Sequence, residues 1–444
     1  MKNIDTNSIK FWNYIYPFLS NTINEVDNIG TLINNVPFNM SGTNSLYVHI
    51  PFCETICAFC PFLKTIYDSK TVDQYLDCLE KEVLLLKEFP LNKQMILDTV
   101  TIGGGSPTAL NKGQLSRLLN MIVSHFEISK DCEWSVECEA KSFTEEKAIV
   151  MKEYGVNRIS IGMQTLNEKY RKMLNLTATI VEVEDAIHLA KKYFHLQNLD
   201  LLYGLPGQTK DEILDDIEKA MALGSTSIDT YPLEYVSCSA SFLRKIESGK
   251  LPKRPSLDDV ISLTKSIFNY FHEKNWDQVL TYTFFSPSLE TSKRRFKYGE
   301  ALYGKISDYI LGIGASSLTH FEGLCYVNST NIKDYMSMLE NENLPIIKAR
   351  KYFAYERELI SFPKRIVIEK KYIEKISMIY TNVKEVFDDW IKSGYLEDTG
   401  DFFKLKTEYR AYFIPMMYQL LPLEEREYMV KLMESVESKK LGIK

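Results

Sequence analysis

The sequence predicts an α/β fold, and two observations predict it. From Leu46 to about residue 231, six short β-branched or apolar runs alternate with stretches of helical period. Chemistry-bearing residues gather at the ends of those runs. Such alternation means a parallel sheet with right-handed crossovers, either an open doubly wound sheet or a full or partial barrel. In both architectures ligands sit at the C-terminal ends of the strands.

The predicted strands are 45–50 (SLYVHI), 98–102 (DTVTI), 134–138 (WSVEC), 157–161 (NRISI), 198–203 (NLDLLY) and 227–231 (SIDTY). Helical stretches are expected at 71–88, 111–126, 144–154, 181–194 and 210–222. The strand ends carry a cysteine cluster, Gly103-Gly104-Gly105-Ser106, Glu137, Gln164 and Asp200, so these should converge on one site. Residues 1–40 read as an N-terminal extension, a short helix in FWNYIYPFLS and a polar loop in NTINEVDNIGTLINN, and 41–235 as the core. Residues 236–345, helical and irregular with an apolar Gly-rich run at 309–317, read as an accessory segment completing the core. Residues 346–444 read as a separate, mainly helical C-terminal domain.

Composition narrows the function. The chain has 444 residues, 45% hydrophobic and 25% charged, which excludes a disordered or collagen-like protein. A net charge of −6 creates no global field for a nucleic-acid backbone or an anionic membrane. No stretch approaches the ~18 apolar residues of a membrane span, and the opening MKNIDTNSIK has no apolar signal region, so a cytoplasmic location is expected. Of the eight cysteines, Cys53, Cys57 and Cys60 crowd into one short segment with C-x3-C-x2-C spacing. In a reducing compartment such a cluster points to metal.

Three thiolates on one loop can hold three irons of a [4Fe–4S] cluster and leave the fourth open to an exogenous ligand. Structural zinc is the competing reading, and it needs a fourth protein ligand. Cys78, in a predicted helix, and His49, in the preceding strand, are the nearest residues of the right type. The three glycines let a backbone approach a ligand closely, or simply make a tight strand-to-helix turn. Glu137 and Asp200 end apolar strands, where a bare carboxylate is costly unless it accepts hydrogen bonds from ribose hydroxyls or an ammonium. An ordinary ion pair with Arg158 is the alternative. Gln164 can serve a ribose or a carboxylate, or be a satisfied core amide.

The segment YVHIPFCETICAFCPF (47–62) resembles the signature of the radical S-adenosylmethionine (SAM) superfamily, in the branch of oxygen-independent coproporphyrinogen III oxidase. The resemblance continues through GGGSPTAL (103–110), VECEA (136–140), GVNRISIGMQT (155–165), DLLYGLPGQT (200–209) and LGIGASS (311–317), covering about 45–320. It implies a partial (β/α)6 barrel over 41–235 and a [4Fe–4S] cluster on Cys53, Cys57 and Cys60. It assigns SAM contacts to Tyr47, Phe59, Gly104, Gly105, Ser106, Glu137, Gln164, Asp200, Glu234 and Leu318. The implied reaction is reductive cleavage of SAM to a 5′-deoxyadenosyl radical under low oxygen, fed by a reductase or a flavodoxin- or ferredoxin-type donor.

The implied substrate is a small molecule: a porphyrin, haem, quinone or peptide heterocycle. Three departures from the branch bear on it. The oxidase carries a further Cys where this chain has Phe62, and the haem chaperones carry an H-N-x-x-Y-W-like segment where it reads RRFKYGEALYGKISDY. An Arg that helps hold a second SAM in the oxidase is matched by Leu176. The reading placed first is methyl transfer to an aromatic or tetrapyrrole substrate, ahead of oxidative decarboxylation of coproporphyrinogen III. Haem carriage without strong turnover is the third. In the basic cluster Lys293, Arg294, Arg295 and Lys297, Arg294 and Arg295 are candidate contacts for an anionic substrate, against a solvated helix face. His320 and Cys325 are candidate substrate or haem ligands, against a structural role.

Overall fold

The structure, a computed structural model, describes Ile9 and residues 26–37 and 41–442. The helix expected within 11–20 lies outside the described residues. The segment read as a polar loop instead holds a short helix at Ile29–Asn34, because its apolar Leu32 and Ile33 are buried.

The six predicted strands form as β1 (Asn44–Ile50), β2 (Ile96–Gly104), β3 (Glu127–Cys138), β4 (Arg158–Gln164), β5 (Leu196–Tyr203) and β6 (Ser227–Pro232). They pair in parallel and in chain order. β3 begins well before the predicted 134 because its first residues are largely exposed and give no apolar signal. The crossovers are α1 (Ser69–Leu86), α2 (Lys112–His125), α3 (Glu145–Glu153), α4 (Ile180–Tyr193) and α5 (Lys210–Ala222). Three of them open on reciprocal capping boxes, Asn111 with Gln114, Thr179 with Glu182 and Thr209 with Glu212, which explains their sharp starts.

The region after 235 is more sheet-like than its sequence suggests. β7 (Asp277–Gln278) and β8 (Thr283–Phe285) extend the β6 edge in antiparallel fashion. β9 (Tyr309–Ile313) returns to pair in parallel with β1, and β10 (Leu318–Phe321), β11 (Leu324–Asn328) and β12 (Ile346–Lys351) continue from it. One twelve-stranded sheet results, in the order β12-β11-β10-β9-β1-β2-β3-β4-β5-β6-β8-β7. These added strands are short, and the two-residue period that would betray them barely has room to repeat.

Alternation divides the parallel strands into two faces. Leu46, Val48, Val100, Ile102, Val136, Ile159, Ile161, Leu199, Leu201 and Ile228 are fully buried in the core. The opposite face is polar and carries Tyr47, His49, Gly103, Glu137, Ser160, Asn198, Asp200, Asp229 and Tyr231.

The C-terminal region is mainly helical and also holds a small three-stranded sheet formed by Val367–Glu369, Leu396–Asp398 and Phe402–Leu405. It is fastened to the sheet region by Arg357, whose guanidinium donates to the Asp308 carbonyl at 3.0 Å and is buried. Lys364, also fully buried, places its ammonium 4.4 Å from the ring centre of Tyr303.

Candidate functional site

β1 runs through Pro51 straight into the cysteine loop. Phe52–Cys53 pairs in parallel with Thr65–Ile66, so the loop is closed at its base by hydrogen bonds from Thr65 N–H to Pro51 O (2.7 Å) and Tyr67 N–H to Cys53 O (2.9 Å). Its far side is tied across the sheet: Ala58 N–H donates to Leu174 O at 3.0 Å, and Ser239 N–H donates to Ala58 O at 2.7 Å. Asn175 Nδ2 donates to Ile56 O at 3.0 Å. The loop therefore spans from the chain leaving β4 to the chain leaving β6.

Cys53, Cys57 and Cys60 are free thiols on this loop. Burial pushes Cys53 up to about 11, and burial with the neighbouring Cys60 and Cys53 pushes Cys57 up to about 12. Burial raises Cys60 too, against the pull of Lys64. Three thiolates beside one ammonium are unfavourable without further positive charge, which iron would supply. A fourth protein ligand for zinc is not offered by the two nearest residues. His49 Nε2 lies 3.1 Å from the Leu63 carbonyl, which can only accept, so Nε2 carries the proton and Nδ1 accepts from Tyr47 Oη at 3.2 Å. Burial keeps His49 neutral, lowering it to about 4. Cys78 is buried on α1, its thiol directed at Met336 O at 3.9 Å. Among the described residues no three His, Cys, Asp or Glu side chains are already arranged around a single ion. The donor set, three thiols and no fourth, fits an iron–sulfur cluster with one open iron.

Beside the loop the glycines are required sterically. A Cβ on Gly103 would stand 2.5 Å from the Glu137 carboxylate, and one on Gly104 would stand 2.6 Å from the His49 ring. Gly104 also has φ +109, a region that suits glycine. Gly105 and Ser106 donate backbone N–H groups to Ile50 O and Phe52 O, both at 2.8 Å, which welds this turn to the cysteine loop. Ser106 beside the Cys53 thiol offsets part of the rise that burial gives it. Glu137 accepts the Gly104 N–H at 3.0 Å, and burial raises its carboxyl above the usual range. Tyr47 stacks on Tyr298, ring centres 5.9 Å apart.

Gln164 ends β4 after a register irregularity and sits at φ +62, an uncommon conformation for a residue with a side chain. One strand on, Asp200 is held by Ser160 Oγ (3.0 Å) and Asn198 Nδ2 (2.9 Å). The ordinary ion pair with Arg158 is not formed. That guanidinium lies 4.4 Å from the Phe296 ring centre and donates to Ser227 Oγ at 3.3 Å, while its Nη1 has no hydrogen-bond partner.

The other predicted residues are spread around this centre. Phe59 packs partly buried within the loop, Glu234 is half-buried just after β6, and Leu318 is half-buried at the start of β10. Arg294 donates to Leu289 O (2.7 Å) and Pro287 O (2.8 Å) and pairs with Asp277; Arg295 pairs with Glu300 at 2.5 Å. Lys293 pairs with Glu290 (3.2 Å), and Lys297 donates to Asp131 O (2.6 Å). The basic cluster is thus committed to its neighbours. His320 and Cys325 face each other across β10 and β11 and are fully buried.

Sequence reasoning missed Ser160, Asn198, Asp229, Tyr231 and Tyr298. For Asp229 and Tyr231 a signal existed: in SIDTY both alternate onto one face, in register with Asp200 and its neighbours.

A parallel barrel whose first strand feeds a three-cysteine loop, with a glycine turn and carboxylates beside it, is an arrangement that could hold an iron–sulfur cluster and a ligand next to it. The radical SAM superfamily model matches residues 47–220. The chain is 31% identical over 300 residues to the haem chaperone HemW of Lactococcus lactis, covering 67% of this chain and 75% of that protein. It is 28% identical over 309 residues to oxygen-independent coproporphyrinogen III oxidase of Escherichia coli, covering 67% and 66%. The solved structure of the Escherichia coli oxidase superposes with a TM-score of 0.76 at 20% identity, over 93% of this chain and 96% of that one, and so shares the fold. This chain belongs to the radical SAM superfamily, in the branch of HemW and oxygen-independent coproporphyrinogen III oxidase. Its cofactors are accordingly a [4Fe–4S] cluster and SAM. No helix among the described residues is long and apolar enough to cross a membrane.

Proposed function

We propose that this chain is an enzyme that cleaves SAM reductively and directs the resulting radical at a tetrapyrrole. The observation that carries the reading is the cysteine loop itself, welded by Gly105 and Ser106 to a turn lined by Glu137. Bound there, cluster and SAM would supply one-electron cleavage of a sulfonium carbon–sulfur bond. The chain's own part is to position and shield. Cys53, Cys57 and Cys60 would hold the iron, the Gly104 turn and Glu137 would receive the amino-acid end of SAM, and Gln164 and Asp200 would receive its ribose. Half-buried Tyr47 and Tyr298, stacked on each other, narrow the access of water to the same face.

The tetrapyrrole assignment draws on the relatives, whose names speak of haem and of coproporphyrinogen III. Methyl transfer, first in the reading of the sequence, has no support from these relatives. Oxidative modification of a porphyrinogen side chain is the form adopted here. Carriage of haem is the second reading, favoured by the identity to HemW. Adding coproporphyrinogen III, and separately haem, to the cluster-loaded chain with SAM and dithionite separates them. An enzyme acting on tetrapyrroles forms 5′-deoxyadenosine and alters the mass of a tetrapyrrole; a carrier binds haem stoichiometrically and returns it unchanged.

A further inference from the structure

A second carboxylate faces Asp200 across the β5–β6 ladder. Asp200 and Asp229 are register partners, and both accept from the same nitrogen, Asn198 Nδ2, at 2.9 and 3.1 Å. Asp229 Oδ2 also accepts from Tyr231 Oη at 3.1 Å, whereas Asp229 Oδ1 is buried with no hydrogen-bond partner. Asp229 itself is 2% exposed.

Two ionised carboxylates here would face each other over a single amide nitrogen, with one carboxylate oxygen left without a donor. Asn198 Oδ1 accepts from Ser227 Oγ at 2.8 Å, and the amide nitrogen is turned to the carboxylates of Asp200 and Asp229, which can only accept while ionised. Its Nδ2 then faces three acceptors, Ser160 Oγ, Asp200 Oδ1 and Asp229 Oδ2, with two hydrogens to give. Ser160 Oγ already donates to Asp200, so the two amide hydrogens go to the carboxylates and Asp229 Oδ1 is the oxygen that receives none. The surrounding charges agree: Glu137 on β3 adds negative potential, Arg158 on β4 adds positive, and Tyr231, Tyr282 and Tyr303 are neutral neighbours. Burial, then Asp229 and Glu137, push Asp200 well above the usual carboxylate range, and burial raises Asp229 despite Arg158. Asp229 is buried and Asp200 half-buried, and adjacent carboxylates shielded from water share a proton in other sites.

We infer that Asp229 is a further residue of the SAM site, forming with Asp200 a proton-sharing pair that gives up its proton when the cationic sulfonium ligand arrives. The inference rests on the reading that Asp200 lies in that site. The exchange is balanced: a positive ligand enters, one proton leaves to solvent, and no bond to carbon changes. S-adenosylhomocysteine, which lacks the methyl and with it the sulfonium charge, has no such charge to displace the proton.

Isothermal titration of the cluster-loaded full chain, under argon and in buffers of differing ionisation enthalpy, counts the protons released. Any proton lost elsewhere on binding is common to both ligands and cancels in the comparison. The expected result is about one more proton released with SAM than with S-adenosylhomocysteine, and SAM affinity rising by up to about tenfold per pH unit below the pair's titration. Asp229→Asn should abolish the extra proton and flatten that pH profile while SAM still binds. An extra proton that survives in Asp229→Asn, or is absent from the unsubstituted chain, overturns the inference. Asp200→Asn separates the two ideas: unchanged SAM affinity in that variant removes Asp200 from the site and takes the inference with it. Weakened affinity there, with an unaltered proton count in Asp229→Asn, overturns the role of Asp229 alone.

Discussion

The Glu137 carboxylate occupies the space a side chain on Gly103 would need, 2.5 Å from that Cβ position, and takes the next backbone N–H, that of Gly104, at 3.0 Å. The contact joins the ends of β2 and β3 and fixes the glycine turn against the cysteine loop. It also gives the three glycines distinct duties: Gly103 makes room for a carboxylate, Gly104 supplies the left-handed backbone and Gly105 closes on the Ile50 carbonyl.

Gly104→Ala should therefore be costly twice over, through its φ of +109 and through the His49 ring 2.6 Å from the added carbon. A loss of about 1–3 kcal/mol is expected in chemical denaturation. Stability within about 0.5 kcal/mol of the parent would contradict the assigned strain.

Glu82 on α1 predicts a pH dependence. It accepts from Tyr335 Oη (2.6 Å), Gly314 N–H (2.8 Å) and Asn328 Nδ2 (2.5 Å), holding the late glycine segment against α1. Burial nevertheless raises it from 4.5 to about 7. The folded chain then keeps this proton after the unfolded chain has lost it, so the contribution to stability falls as pH rises from 4.5 to about 7 and is level above. Unfolding free energies measured across that window should decline, by up to about 1.4 kcal/mol per pH unit from this group. In Glu82→Gln the slope from this group should vanish; an unaltered slope would show that Glu82 does not titrate there.

Leu176 tests the second-cofactor question. Its backbone N–H donates to Arg171 O at 3.0 Å, and its side chain packs against the core. The nearby Arg171 guanidinium is already committed to the carbonyls of Met163 (3.2 Å) and Thr165 (2.8 Å). The chain as it stands should bind one SAM, and Leu176→Arg should raise the stoichiometry towards two in equilibrium dialysis. A second SAM on the unsubstituted chain would refute the argument from Leu176.

Much of this was legible in the sequence because the informative residues are local. The C-x3-C-x2-C spacing and the alternation of six runs place the cysteine loop and the barrel strands, and helical periodicity places the start of the helix at Lys210 where the structure has it. What escaped depends on pairing between distant segments. β9 reads as an apolar Gly-rich run, and only its register with β1 makes it a parallel strand. Arg294 looks like a free cation until Asp277 and two carbonyls are folded onto it. Asp229 reads as one polar residue in a short strand, and its meaning arises from Asp200 across the ladder.

The central claim is that Cys53, Cys57 and Cys60 hold a cluster that cleaves SAM. The most direct measurement is anaerobic reconstitution with iron and sulfide, reduction by dithionite in the presence of SAM, and mass spectrometry for 5′-deoxyadenosine. The account predicts about four irons per chain and 5′-deoxyadenosine formation, with both iron loading and cleavage lost in Cys57→Ala. A fully loaded, reduced cluster that yields no 5′-deoxyadenosine, or cleavage that persists in Cys57→Ala, would contradict it.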